Sequence, residues 1–339
     1  MKELIVFFVL VALSYFGIDF IRHWLLNRQV IDLPNERSSH SVPTPRGGGL
    51  VIVVITLIVA LLCMIFFQYW REGITFILVG CGVAWIGWQD DIKSLSPKLR
   101  FLLQALAAVL TIVGVGYFDS ITIPLFGVLQ LGIVGIPITI LWIMGLINTF
   151  NFMDGIDGIS GSVALTGSLG WMLFLGVNGQ FGSPLFWIMM AIAASNLGFL
   201  GHNWPPARIF MGDVASTFLG FCFAVVPLLS INQVEDSFLL GVIIMWAYIL
   251  DTLITFIRRL LKGERVFSAH RSHIYQRLVI SGYQVSSITS LYLLLTSVGV
   301  VLAYAWIQKF TFAPAAIIIG LPVLWILIIG FTKIRENKS

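Results

Sequence analysis

Residues 47–67 read GGGLVIVVITLIVALLCMIFF, a run without a single charge. About 20 mostly apolar residues in a helix cross the hydrocarbon core of a bilayer, and this run has that length and character. Working outward in both directions, the same pattern recurs at 4–26, 74–88, 99–116, 133–150, 161–177, 184–200, 214–230, 238–257, 288–307 and 314–331, with short polar or Gly/Pro-containing breaks between. Of the 339 residues, 58% are apolar and 11% charged, and mean hydropathy is +0.96. Ordinary soluble domains carry about 25% charge, so a water-soluble fold is excluded. The sequence predicts an all-α integral membrane protein of about eleven transmembrane helices, forming a single polytopic domain over residues 1–339. The first window has no small-residue cleavage site and continues to Leu25 and Leu26, so it reads as a retained helix. Cys63, Cys81 and Cys222 lie inside apolar runs without CxxC spacing and read as small core hydrophobes.

Orientation follows from the basic residues, which accumulate on the cytoplasmic side. With eleven spans, 17 of the 20 Lys and Arg fall in loops on one side, and only Lys2, Arg71 and Lys309 on the other. The N-terminus is therefore expected outside and the C-terminus inside. Cytoplasmic loops are expected near 27–46, 89–98, 151–160, 201–213 and 258–287. The Thr/Ile-rich stretch 117–131, with Pro124 and Gly127, becomes an external loop with the character of a hairpin. The excess of basic residues belongs to this membrane pattern, and no nucleic-acid partner is expected.

Five acids at helix ends carry the functional signal. Asp90 and Asp91 lie in WQDDIKSLSPKLR, Asp154 and Asp157 in NTFNFMDGIDGISG, and Asp213 in HNWPPARIFMGDVAS, all in loops assigned to the cytoplasmic face. Adjacent carboxylates repel, and a hard divalent cation held by carboxylate and carbonyl oxygens is the usual compensation. Magnesium fits best, because it keeps waters and substrate phosphates as its remaining ligands. Each element also has a plainer reading: Asp90 and Asp91 as helix caps, and DGIDG as a turn using Gly155 and Gly158 at positive φ.

Two basic loops stand opposite the acids. In RSSHSVPTPRGGG, Arg46 precedes three glycines whose N–H groups could cradle a phosphate at a helix start, or which could serve close helix packing instead. RRLLKGERVFSAHRSHIYQRL carries His270, Arg271 and His273 within four residues, two imidazoles flanking a guanidinium in the manner of a pyrophosphate grip. Asp251, inside the window 238–257, is costly in lipid and needs a partner. Arg258, seven residues later on the same face, is the expected one, in a structural ion pair.

Metal-binding acids facing phosphate-binding bases at a membrane surface imply phosphoryl transfer involving a lipid. The motifs QDDIKSLSPKLR, NTFNFMDGIDG, NWPPARIFMGD and AHRSH, in this order, resemble those of the polyprenyl-phosphate N-acetylhexosamine-1-phosphate transferases (glycosyltransferase family 4), from about Pro34 to Arg277. These are bacterial membrane enzymes that initiate O-antigen, enterobacterial common antigen and teichoic-acid synthesis, and they are related to the peptidoglycan translocase. The resemblance implies that Asp213 is a magnesium ligand, with Asn151 also able to contact the metal and Mn2+ able to substitute. It implies a catalytic role for the pair Asp90 and Asp91, and a uridine site at Asp157, Asn203 and Phe210, with Phe210 stacking on uracil. It places His270, Arg271 and His273 against pyrophosphate and sugar, and Lys98 and Arg100 near the phosphates. Asp154 has a less certain match and Arg46 none of its own. The translocase carries three consecutive histidines where this chain has His270, Arg271, Ser272 and His273, which disfavours a MurNAc-pentapeptide substrate.

The implied reaction transfers an N-acetylhexosamine 1-phosphate from a UDP-sugar to polyprenyl (undecaprenyl) phosphate on the cytoplasmic face of the bacterial inner membrane, giving the lipid diphosphate-sugar and UMP. A homodimer would suit such a lipid-facing fold. A transporter or flippase of lipid-linked sugars is the competing reading, but transporters place polar sites near the bilayer midplane, and here only Asp251 is deep. A non-catalytic scaffold would leave both clusters without a role.

Overall fold

The computed structural model describes residues 1–29, 31–32, 43–264 and 270–337. The expected loops 27–46 and 258–287 therefore fall partly outside the described residues. In chain order, α1 (Lys2–Asn27) is followed by two short antiparallel strands, β1 (Ile31–Asp32) and β2 (Thr44–Pro45). Then come α2 (Leu50–Phe66), α3 (Trp70–Lys93), α4 (Pro97–Gly114), a hairpin of β3 (Ser120–Ile123) and β4 (Gly127–Gln130), and α5 (Gly135–Met153). The chain continues with α6 (Ile159–Val177), α7 (Pro184–Asn203), α8 (Asp213–Leu229), α9 (Ser237–Ile244), α10 (Trp246–Leu261), α11 (Ile274–Ile280), α12 (Val285–Ile307) and a final helical run, Ala313–Glu336.

Every apolar window is helical, the window 238–257 being divided between α9 and α10, and the protein is an all-α membrane protein. Among the described residues, eight helices are long and apolar enough to span a bilayer, or nine if α9 and α10, which meet at 71°, form one broken span. This is fewer than the expected eleven, because α2 and α8 are apolar but only 17 residues long. Local chemistry sets several helix starts. Ser96 accepts the Leu99 N–H ahead of Pro97, and Ser183 accepts the Phe186 N–H ahead of Pro184, each combining a hydroxyl cap with proline at a position whose N–H has no helical partner.

The core is organised around α8, which is apolar on all sides and buried from Val214 to Leu229. Glycines bring its neighbours to backbone distance. A Cβ on Gly87 of α3 would lie 2.3 Å from the Asp213 carbonyl oxygen, and one on Gly220 of α8 would lie 2.5 Å from the Leu146 carbonyl of α5. Small residues at such crossings are how helices in lipid gain van der Waals contact. Outward faces stay apolar, as at Phe8, Phe16 and Phe20 of α1 and at Cys81, which is exposed and not a core residue as the sequence suggested. At one end of the bundle the β3–β4 hairpin occupies the stretch 117–131, held by Asp236, which accepts from Thr122 and from Trp306 Nε1 at 2.9 Å. At the other end terminate α3, α5, α7 and α10, and there α8 begins.

Candidate active site

The start of α8 is the focus. Asp91, on the last turn of α3, accepts the Asp213 N–H at 2.9 Å and the Val214 N–H at 3.1 Å. It thereby caps α8 from a neighbouring helix, bringing negative charge to the positive end of the helix dipole. Gly212 turns the chain into α8 at φ +80°. Arg46 bridges the two acids, with Nε 2.9 Å from Asp91 Oδ1 and Nη2 2.5 Å from Asp213 Oδ1. Burial opposes the Arg46 charge, but Asp213 and Asp91 outweigh it and hold the guanidinium above its usual range. Asp91 is only 5% exposed against 18% for Asp213, so Asp213 is the acid open to a ligand and Asp91 the one that holds the frame.

Arg46 is pinned by its own backbone. Phe210 donates its N–H to the Pro45 carbonyl at 2.8 Å, Gly47 and Gly48 donate to the Phe210 carbonyl at 3.1 and 2.9 Å, and Gly49 donates to the Met211 carbonyl at 3.0 Å. All three N–H groups of the glycine run are thus engaged, which rules out the phosphate cradle among the two sequence readings. The glycines serve close approach: a Cβ on Gly49 would sit 2.2 Å from the Ala215 Cβ.

Asp90 faces another way, accepting from the Leu95 N–H at 2.7 Å and Arg100 Nη1 at 2.6 Å. Arg100 is therefore paired with a catalytic candidate, while Lys98 lies exposed on the first turn of α4. On the last turn of α5, Asn151 Nδ2 donates to Ser216 Oγ at 3.2 Å, placing it one turn into α8 from Asp213. Burial pushes the Asp154 carboxyl up to about 7. A hydrogen bond from Ser160 and the Arg46 charge oppose this rise, and Asp213 and Asp91 add to it. Asp157 Oδ2 accepts the Ala207 N–H at 2.9 Å, and its carbonyl accepts from Thr289. Asn203 accepts the Gly158 N–H and donates to the Ile209 carbonyl, both at 2.8 Å, so its buried amide ties the 154–158 loop to the 204–210 loop. Phe210, partly exposed, follows directly. In DGIDG only Gly158 has positive φ, at +75°. Gly155 instead makes room for Tyr275, whose hydroxyl a Cβ would meet at 2.1 Å.

The histidine loop corrects one expectation. Asp251 does not pair with Arg258, which donates to the Ser272 carbonyl instead. Asp251 accepts from His273 Nδ1 at 3.1 Å, the Ile274 N–H at 2.9 Å, the Tyr275 N–H at 3.3 Å, and the Thr255 and Tyr292 hydroxyls. The i to i+7 relation put Arg258 on the correct face, but the start of α11 offers backbone donors that satisfy a buried carboxylate better than one mobile side chain. The His270 ring lies over His273 with centroids 5.1 Å apart, and Ser272 Oγ is 2.9 Å from His270 Nδ1. Arg271, between them in sequence, is half-buried. Tyr275, which carried no signal in the sequence, donates its hydroxyl to the Phe152 carbonyl at 2.9 Å and so joins this loop to Asn151 and Asp154. All the expected site residues described here lie at one end of the bundle.

The arrangement offers buried carboxylates in contact with one guanidinium, a partly exposed aromatic face beside them, and imidazoles on an adjoining loop, which together suit recognition of a phosphorylated ligand. Residues 73–231 match the model of glycosyl transferase family 4. The chain is 32% identical over 315 residues to a probable undecaprenyl-phosphate N-acetylglucosaminyl 1-phosphate transferase of Bacillus subtilis, covering 90% of this chain and 84% of that protein. It is 28% identical over 335 residues to a decaprenyl-phosphate N-acetylglucosaminephosphotransferase of Mycobacterium leprae, covering 90% and 81%. It is also 30% identical over 315 residues to the undecaprenyl-phosphate alpha-N-acetylglucosaminyl 1-phosphate transferase of Escherichia coli K12, covering 86% and 83%.

Proposed function

Because the chain belongs to glycosyl transferase family 4, the membrane phosphoglycosyltransferases acting on polyprenyl phosphates, we propose that it transfers N-acetylglucosamine 1-phosphate from UDP-N-acetylglucosamine to undecaprenyl phosphate, releasing UMP. The observation that carries this reading is the meeting of Asp91, Arg46 and Asp213 at the buried start of α8, with Asn151, Asp154 and the histidine loop on the same end of the bundle. In this reaction an acceptor phosphate oxygen attacks the β-phosphorus of the donor. A new P–O–P bond forms as the bond from the β-phosphorus to the bridging oxygen breaks, and UMP leaves with that oxygen.

We assign Phe210 to stacking on uracil, with Asp157 and Asn203 shaping the loops around it. Arg46 and Arg100 sit against the acids, where each can also meet phosphate oxygens. Asp90 is assigned to orienting the acceptor phosphate, and Asp91 to holding Asp213 in place. An apolar groove of about 440 Å³ between α4, α5 and α10, lined by Phe101, Trp142, Met144, Phe152 and Phe256 among others, reaches the end of α5 next to Asn151. It has the character and position to take the acceptor's polyprenyl chain while its phosphate lies among the acids.

Among the described residues no three His, Cys, Asp or Glu lie close enough to cage a metal. Magnesium does not require such a cage, since it takes one or two carboxylates and completes its shell with water and phosphate. The donor set fits it on those terms, and Asp213 with Asn151 would hold it. When bound it supplies Lewis-acid charge at the donor pyrophosphate. The protein's own groups would act mainly by positioning and charge stabilisation. The positive-inside pattern supports a site on the cytoplasmic face, where a soluble donor meets a lipid acceptor, and the product would start a surface glycan or cell-wall polymer.

The test offers purified full-length protein a panel of UDP-sugars with undecaprenyl phosphate and magnesium, and detects UMP together with the lipid product. UMP release with UDP-N-acetylglucosamine, dependent on the lipid, is the expected result. No UMP from any donor would overturn the reading.

A further inference from the structure

Asp251 is completely buried and lies on α10, away from the acids already assigned, yet it receives five donors. A carboxylate deep in an apolar bundle is costly to bury, and pairing usually offsets part of that cost. Here three of its partners, His273, Ile274 and Tyr275, open α11 immediately after His270, and the other two are the hydroxyls of Thr255 on α10 and Tyr292 on α12. An ionised carboxylate only accepts hydrogen bonds, so His273 must present Nδ1–H to it. Nδ1 is thereby committed as a donor, and Nε2, on the far edge of the ring, is the atom left to meet a ligand, donating to a phosphate oxygen when the ring is protonated. The ring plane is set as well. His273 lies between His270, at 5.1 Å and 26°, and Tyr275, at 5.8 Å and 25°, with Phe152 at 6.3 Å.

The same carboxylate reaches the acidic loop. It accepts the Tyr275 N–H, and the Tyr275 hydroxyl donates to the Phe152 carbonyl beside Asn151.

We propose that Asp251 is a positioning residue of the transfer reaction: it holds the Nδ1–H and the ring plane of His273 so that the Nε2–H of the protonated ring faces the donor's phosphates, and it holds the start of α11 in register with the end of α5 and the Asp154 loop. This rests on the reading of His270 and His273 as donor-contacting residues.

The test is a double-mutant cycle in full-length, detergent-purified protein, using Asp251→Asn, His273→Gln and the double variant, with turnover, donor KM and melting temperature measured for each. Removing the hydrogen-bond partner that orients a metal-ligating histidine typically costs roughly 10- to 100-fold, and a loss of turnover on that order is expected for Asp251→Asn. If Asp251 acts through His273, the double variant should be no slower than His273→Gln alone. Independent, multiplying losses would overturn the proposal, as would wild-type turnover in a folded Asp251→Asn protein. Should Asp251→Asn fail to fold, nitrogen-15 NMR of wild-type protein labelled at histidine decides the matter. The proton is expected on Nδ1 of His273, identified by its absence in His273→Gln, and a proton found on Nε2 alone would overturn it. An inactive wild type would sink the proposed reaction, and the NMR measurement would then judge the His273 geometry by itself.

Discussion

Gly49→Ala gives a sharp test of how the site is assembled, because the perturbation is one methyl group and its consequence can be worked from distances. A Cβ at this position would lie 2.2 Å from the Ala215 Cβ, 2.7 Å from the Met211 carbonyl oxygen and 3.0 Å from Met211 Cγ. Two of these contacts are with backbone or a Cβ, which cannot swing aside. Restoring an ordinary contact of at least 3.4 Å requires the 46–49 segment to withdraw from α8 by more than 1 Å. That motion strains the bonds from Gly47, Gly48 and Gly49 to Phe210 and Met211, each with a net value of about 1 kcal/mol. A total loss of about 3 kcal/mol is expected, the upper part of the range for overpacking. Arg46 moves with the segment, away from Asp91 and Asp213. Misplacing a catalytic constellation by about 1 Å costs roughly 100-fold, so turnover should fall by about that factor while the protein still reaches the membrane. The assay is UMP release at saturating donor and acceptor, with thermal inactivation in detergent. Gly82→Ala, in α3 with open space around its Cβ, serves as the neutral control. Wild-type turnover and wild-type thermal inactivation in Gly49→Ala would refute the account of the 46–49 segment as the mount for Arg46.

Base stacking on an aromatic side chain contributes about 1–3 kcal/mol, so Phe210→Ala should raise the donor KM by roughly 5- to 150-fold and leave turnover at saturation largely intact. Calorimetric titration with UMP checks it, and unchanged affinity removes Phe210 from the uridine site. Asp213→Asn should abolish transfer and the response to magnesium in a folded protein, as EDTA should in wild type; EDTA-resistant activity would exclude the metal. The raised Asp154 carboxyl gives a stability signature. Between about 4 and 7 the folded protein keeps a proton that the unfolded chain, with its ordinary value of 3.8, has released, so stability falls as pH rises through that window and levels off above it. Metal-free melting against pH should show this decline in wild type and lose it in Asp154→Asn. For orientation, Lys262→Cys should be labelled from the cytoplasmic side and Val128→Cys from the outside. The reverse pattern would invert the layout.

Much of this protein is legible one residue at a time. Lipid forces every spanning segment to satisfy its own backbone, so apolar length alone located the helices, and the asymmetry of Lys and Arg was visible by counting. Asp90, Asp91, Asp154, Asp157 and Asp213 stood out because charge is scarce in such a chain, and their motif contexts named the family. Burial and partner choice were another matter. Nothing local distinguishes α8, the buried central helix, from α2, which is exposed along one side, since both are predominantly apolar helices of 17 residues, and only packing decides which is enclosed. The sequence left Gly47, Gly48 and Gly49 between two uses, and the choice fell to the hydrogen-bond partners that residues 210 and 211 supply from more than 160 positions away. It marked Asp251 as needing a partner but pointed to Arg258 on the same helix, because periodicity speaks only within one element. His273, Tyr275 and Tyr292 reach that carboxylate from two other helices, and Arg46 joins Asp91 to Asp213 across three separate segments. Such juxtapositions are set by the closure of the whole bundle, where the pairing of each buried charge is chosen by which chain segments arrive beside it.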